Sequence, residues 1–200
     1  MMFPHRQPEP QWSPPPAADE AMPAWLEERL FDRRLVMLRG TLTGPVASRV
    51  AAALLTLDAA GEDPVELHVS AVDGELAAAF AVVDAIDAMR APLHAVIPGQ
   101  AGGAPIAVLA AANRRLAYRH ARIRFNEPRA AAAAGTADEV AAAAGQYLRE
   151  LDELVVRLAE VTGQPRSRIE DDLSAGRMFT AEQAKDYGRI DEIVGSRPPA

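Results

Sequence analysis

The sequence predicts an α/β fold built from repeated βαβ units around a mostly parallel sheet. Three observations carry this. Strand-like and helix-like segments alternate three times between Leu35 and Phe125. Hydrophobic residues make up 49% of the 200 residues, enough for a substantial core. A final apolar stripe keeps spacings of four and three for some 25 residues, the signature of one long amphipathic helix.

The elements follow in order. Residues 1–28 read as a mobile tail: seven of the 16 prolines fall within the first 23 residues, and the apolar ones show no period. Leu35–Leu38 is a short apolar strand. Thr43-Gly44-Pro45 starts a helix, with proline where its missing N–H costs nothing. Val46, Val50, Leu54 and Leu57 give that helix one apolar face, and Gly61 ends it. Val65, Leu67 and Val69 alternate as a strand, followed by a turn at Asp73-Gly74. Leu76, Phe80, Val83 and Ile86 mark the next helix, and Leu93–Ile97 the next strand. Pro105 opens a third helix that runs to about Asn113, and Arg122–Phe125 is a strand.

After Pro128 the pattern changes. The small-residue run Ala130–Ala134 leads to a helix of about 138–162 with Val140, Ala144, Tyr147, Leu151, Leu154 and Leu158 on one stripe. At 1.5 Å per residue it would be ~37 Å long. That exceeds what a compact core of this size needs, so the helix is expected to protrude and bury its stripe against a partner chain. The alternative is a helix folded back over its own sheet. Thr180-x-x-Gln183 is a capping box for a short last helix, and Ile190–Val194 is the final strand.

Composition excludes several classes. With 21 basic and 28 acidic residues the formal charge is −7, the wrong sign for a nucleic-acid or anionic-membrane surface. No cysteine is present, which removes thiol nucleophiles and disulfides; His5, His68, His94 and His120 form no pair at ligand spacing, so no metal is expected. No apolar run reaches the ~18 residues of a membrane helix, and no signal peptide is visible, so a cytoplasmic location is expected.

Four segments resemble one family in order and spacing. Gly99-Gln100-Ala101 before a helix resembles the GQAASMGA segment of the Clp protease proteolytic subunit, the ClpP family. Arg122-Ile123-Arg124-Phe125-Asn126-Glu127-Pro128 resembles its RVMIHQP strand. Leu158 to Gln164 resembles its LAxHTGQ helix end, and Thr180 to Asp191 its SAxEAxEYGLID. Phe31–Gly40 and Val65–Asp84 fit its first strand and its YINSPGG unit, so the resemblance covers about Leu30 to Val194. It implies a ClpP/crotonase-like domain over 29–197, with a handle helix at about 129–162. It also implies rings of seven subunits, with two rings stacked through the handles, here through Tyr147, Leu151, Leu154 and Leu158.

The resemblance also locates a catalytic triad, and all three positions are replaced. The serine position is Gly103, the histidine position Asn126, and the aspartate position, twelve residues beyond Gln164, is Gly176. Glycine offers no nucleophile and asparagine no proton affinity near neutrality. Disabling a triad costs roughly six orders of magnitude in turnover. No Ser or Thr occurs anywhere from Gln100 to Gly135, so no shift of register supplies one. The two N–H groups of the oxyanion hole would be those of Gly74 and Ala104. Asp73 replaces a glycine beside them and sets a carboxylate against an anionic intermediate. His120 reads as a surface residue in an Arg-rich turn, and Asp171-Asp172 as a solvated face.

These readings imply a non-catalytic subunit of an ATP-dependent Clp-type complex. It would form homo- or hetero-oligomeric rings, heptameric or tetradecameric, with ClpP paralogues, and no cofactor is expected. Docking of a Clp ATPase chaperone would be weakened, because Glu66 and His68 stand where the family has tyrosines. Two alternatives are a peptidase with relocated groups, such as Ser70 and His68 on one strand, and a crotonase-like acyl-CoA enzyme using Glu75 or Glu127.

Overall fold

The computed structural model describes residues 22–130 and 134–195. Most of the tail and the run 131–133 lie outside the described residues. A first helix, α1 (Ala24–Asp32), takes in residues that the sequence assigned to the tail. Its Phe31 packs on the core although Trp25 is exposed. Proline content marks the segment upstream of Ala24 and says nothing of the amphipathic residues after it.

The main sheet has five parallel strands in the order β1 (Leu35–Leu42), β2 (Val65–Gly74), β3 (Leu93–Ile97), β5 (Arg114–Tyr118) and β8 (Glu192–Val194). Helices α2 (Gly44–Ala60), α3 (Leu76–Ala88) and α4 (Pro105–Ala111) supply the buried faces Val50, Leu54 and Leu57; Val82, Val83 and Ile86; and Ile106 through Leu109. Against them lie Leu38, Leu67, Val69 and Leu93, all fully buried. Period 2 along β2 sends Glu66, Ser70 and Val72 to the other, open face.

Three expectations change here. Asp73-Gly74 is not a turn: both residues continue β2 and pair with Thr41 and Leu42. A side chain at position 74 would meet the Leu42 backbone, its Cβ only 2.7 Å from the carbonyl oxygen, so only glycine lets the strands run this close. The third helix stops at Ala111, and a strand not foreseen, β5, follows at once. Its composition, Arg-Arg-Leu-Ala-Tyr, carries little strand signal, and its place comes from pairing with β3 and β8. The strand at 122–124 does not join the main sheet. It is the centre of a second, three-stranded sheet: β4 (Gln100–Gly102), β6 (Arg122–Arg124) and β7 (Met178–Thr180).

The long helix is α5 (Ala137–Thr162), 26 residues. It starts at Ala137, one residue before the expected 138, and so excludes the first residues of the broader handle segment begun at 129. Thr136 sets that start through a reciprocal capping box: its hydroxyl accepts from the Glu139 N–H at 3.3 Å, and its own N–H donates to Glu139 Oε2 at 2.7 Å. Residues 137–144 are all exposed, whereas Leu154, Val155 and Leu158 are buried against the chain's own core. The stripe is therefore divided. Leu154 and Leu158, expected at a partner interface, are buried in the chain's own core, while Val140 of the stripe and Leu148 beside it remain open to solvent. After α5 come α6 (Arg166–Ser174) and α7 (Ala181–Tyr187), the latter with the expected Thr180–Gln183 capping box. Among the described residues no helix is long and apolar enough to cross a membrane.

Candidate active site

Three segments converge beyond the carboxyl end of β2. The first is the last three residues of β2 itself, Val72-Asp73-Gly74. The second is the tight connection from β4 to α4. The third is the stretch after β6. Gly103 lies in that connection with φ +58°, a left-handed conformation at a strand-to-helix turn. Hydrolases use such strained turns to present a nucleophile; here the turn presents a hydrogen atom. The Gly103 N–H donates to Asn126 Oδ1 at 3.0 Å. A Cβ built at Gly103 would lie 3.5 Å from Asn126 Nδ2 and 3.2 Å from the Val72 carbonyl. Gly176 sits on the far side: its Cβ would lie 4.0 Å from the Phe125 carbonyl and 3.8 Å from Arg124 Nη2. The structure thus brings Gly103, Asn126 and Gly176 around one short segment, Phe125-Asn126. The Arg124 guanidinium lies beside Gly176.

Asp73 decides the electrostatics of the cleft. Its Oδ1 accepts the Gly74 N–H at 2.9 Å, and its Oδ2 pairs with Arg129 Nη2 at 2.9 Å. One of the two N–H groups expected to face an oxyanion is therefore bonded to a carboxylate. Ala104 is fully buried at the head of α4. The cleft, about 250 Å³, is further lined by Gln100, Arg122, Arg124 and Met178. Sequence reasoning missed these arginines as a group. The signal was available for two of them, because Arg122 and Arg124 alternate on one strand and share a face. Arg129 reaches the cleft only through its pair with Asp73.

The remaining candidates lie elsewhere. His68 Nε2 sits 3.3 Å from Glu66 Oε2, and among the described residues no hydrogen bond joins it to Ser70. Glu75 lines a separate groove with Tyr147 and Glu150. Glu127 Oε1 accepts from the Tyr147 hydroxyl at 3.0 Å; burial, followed by this carboxylate, pushes the phenol well above its ordinary value. His120 is exposed in a turn, as expected. Asp172 is not on a solvated face. It is 7% exposed and accepts from the Tyr187 hydroxyl at 2.5 Å and from Arg177 Nη1 at 3.0 Å. Asp171, its neighbour, is exposed.

A five-stranded parallel sheet carrying helices, with a separate three-stranded sheet, is an α/β fold, and such a fold does not by itself name an activity. Comparison with known proteins gives the particular family. The Clp protease family model matches residues 20–197. The chain is 34% identical over 171 residues to the ATP-dependent Clp protease proteolytic subunit 1 of Frankia casuarinae, a match that covers 83% of this chain and 79% of that protein. The chain belongs to the Clp protease family.

Proposed function

We propose that this protein is a non-catalytic proteolytic-type subunit of a Clp protease complex, one that occupies a place in the ring without cutting peptides. The observation that carries the reading is the contact between the Gly74 N–H and Asp73 Oδ1, 2.9 Å long, in the cleft where Gly103 and Asn126 stand at the nucleophile and base positions. A vacant triad alone removes the attack. A carboxylate bonded to an oxyanion donor removes the stabilisation that would remain, since an anionic intermediate would meet a like charge there. The subunit then acts through assembly, in rings with itself or with active paralogues, and shapes the chamber or its port. Docking of an ATPase partner at this subunit is weakened, because Glu66 and His68 form a polar pair where an apolar anchor would be needed.

The test combines chemistry and assembly. The purified chain, exposed to a fluorophosphonate probe and a fluorogenic peptide, is expected to show neither a covalent mass increment nor turnover. Co-expressed with active paralogues, it is expected to co-purify in an assembly of ring mass. Covalent labelling of the chain alone would overturn the non-catalytic reading, and failure to enter any oligomer would overturn the assembly role.

A further inference from the structure

The cleft carries more positive charge than its own contacts consume. Arg122, Arg124 and Arg129 line it against one carboxylate, Asp73, which already bonds Arg129 and the Gly74 N–H. Among the described residues the Arg124 guanidinium makes no hydrogen bond or ion pair, its backbone alone being paired in the small sheet. Arg122 uses only Nη1, toward the carbonyls of His120 and Ala121 at 3.3 and 3.1 Å. The other nearby acids are Glu127, engaged by Tyr147, and Glu182, on which Arg122 acts only through its field. All this occurs in a chain of net charge −7. One unpaired guanidinium and a second that has committed a single nitrogen, on one cleft wall of an acidic molecule, are a place for anions.

We propose that this cleft binds an extended peptide bearing acidic side chains at alternate positions, with one carboxylate on Arg122 and the next on Arg124. The spacing argues for a peptide over a single small ion. Two residues along a strand span ~6.6 Å, so the Arg-x-Arg of β6 repeats at the distance of acidic-x-acidic in another extended chain. The rest of the lining argues the same way. Val72, Ala101 and the 48%-exposed Met178 give apolar surface beside the arginines, suited to the stems and intervening side chains of a peptide. Asn126 Nδ2, held only at 3.4 Å from the Glu127 carbonyl, adds a further donor. The inference rests on the proposed function in one respect: the peptide is held and is not cut.

The test uses the full chain and fluorescein-labelled hexapeptides, read by anisotropy at low salt. One peptide carries glutamates at alternate positions, one carries glutamines there, and inorganic phosphate and glutarate serve as competitors. The alternating acidic peptide is expected to bind at least tenfold more tightly than the glutamine one. Arg122→Gln/Arg124→Gln is expected to abolish that preference with an unchanged unfolding temperature, while Arg29→Gln, which removes a charge on α1, leaves it intact. Equal binding of both peptides, or an undiminished preference in the double variant, would overturn the proposal. So would binding of phosphate or glutarate with no binding of the peptide. Parallel exposure to the fluorophosphonate probe separates the two readings, because labelling would sink the non-catalytic assignment and leave the binding preference to stand or fall by itself.

Discussion

Arg189 occupies the place of leucine in the family motif that ends Tyr-Gly-Leu-Ile-Asp, and it is only 6% exposed. Its guanidinium stacks on Phe125 and stands 4.3 Å from the Phe179 ring centre and 4.6 Å from that of Tyr187. Those faces attract a cation. Yet none of its three nitrogens has a hydrogen-bond partner, and burial pushes its proton affinity down to about 8. Desolvation of an unsatisfied charge outweighs ring attraction of this size. Arg189→Leu is therefore expected to raise unfolding stability by about 1–3 kcal/mol, measured as a higher urea midpoint at constant slope. Asp172, packed beside the same ring cluster, has the opposite character. Burial pushes its carboxyl up, but the Tyr187 hydroxyl and the Arg177 guanidinium outweigh this and hold it below the usual range. A folded-state pKa below the unfolded one contributes stability that is complete above about pH 4–5 and fades as the pH falls through the folded value. Chemical denaturation at pH 7, 5, 4 and 3 is expected to show that loss, and Asp172→Asn is expected to flatten it. Nothing local in Asp171-Asp172 separates the exposed residue from the buried one; α6's orientation on Tyr187 does.

At the scale of the element, α5 shows what a periodic stripe does and does not specify. Spacings of four and three say which residues share a face, and Tyr147, Leu151, Leu154 and Leu158 do. They do not say what covers the face. The C-terminal half lies on α4 and α6 and buries Leu154 and Leu158, while Leu148, 62% exposed, and Val140 stand off the core. The two halves should respond differently to mutation. Leu154→Ala is expected to cost about 2–5 kcal/mol of stability through the cavity it leaves, seen in thermal unfolding. Leu148→Arg is expected to change stability by less than about 0.5 kcal/mol while it reduces self-association in sedimentation. A Leu148→Arg protein that unfolds early and assembles normally would reverse this assignment.

Across the whole molecule, the α/β fold of the Clp protease family is kept, and the proposed loss of its chemistry makes a reconstruction informative. Gly103→Ser alone is expected to gain no fluorophosphonate labelling: Asn126 cannot take the proton, and Asp73 still holds the Gly74 N–H. The combination Asp73→Gly, Gly103→Ser, Asn126→His and Gly176→Asp supplies the nucleophile, base, orienting acid and free donor at the positions that the family resemblance assigns. It is expected to become labelled, as read by intact mass. Because Gly103 has φ +58°, the serine will carry strain of about 1–3 kcal/mol, so the unfolding temperature should fall as labelling appears.

The alternation of strands and helices, the long helix and the Thr180 capping box were legible from residues alone, whereas the triad positions came from the family resemblance. Each is a local pattern or a residue's chemical identity, and neither depends on distant neighbours. Tertiary structure decided the rest. Arg114–Tyr118 becomes a strand only because β3 and β8 offer it hydrogen bonds, and 122–124 leaves the main sheet because β4 and β7 flank it. Arg129 meets Asp73 from far along the sequence. Charge pairing and burial are set by through-space distance, and a linear chain encodes that distance only once every element has taken its place.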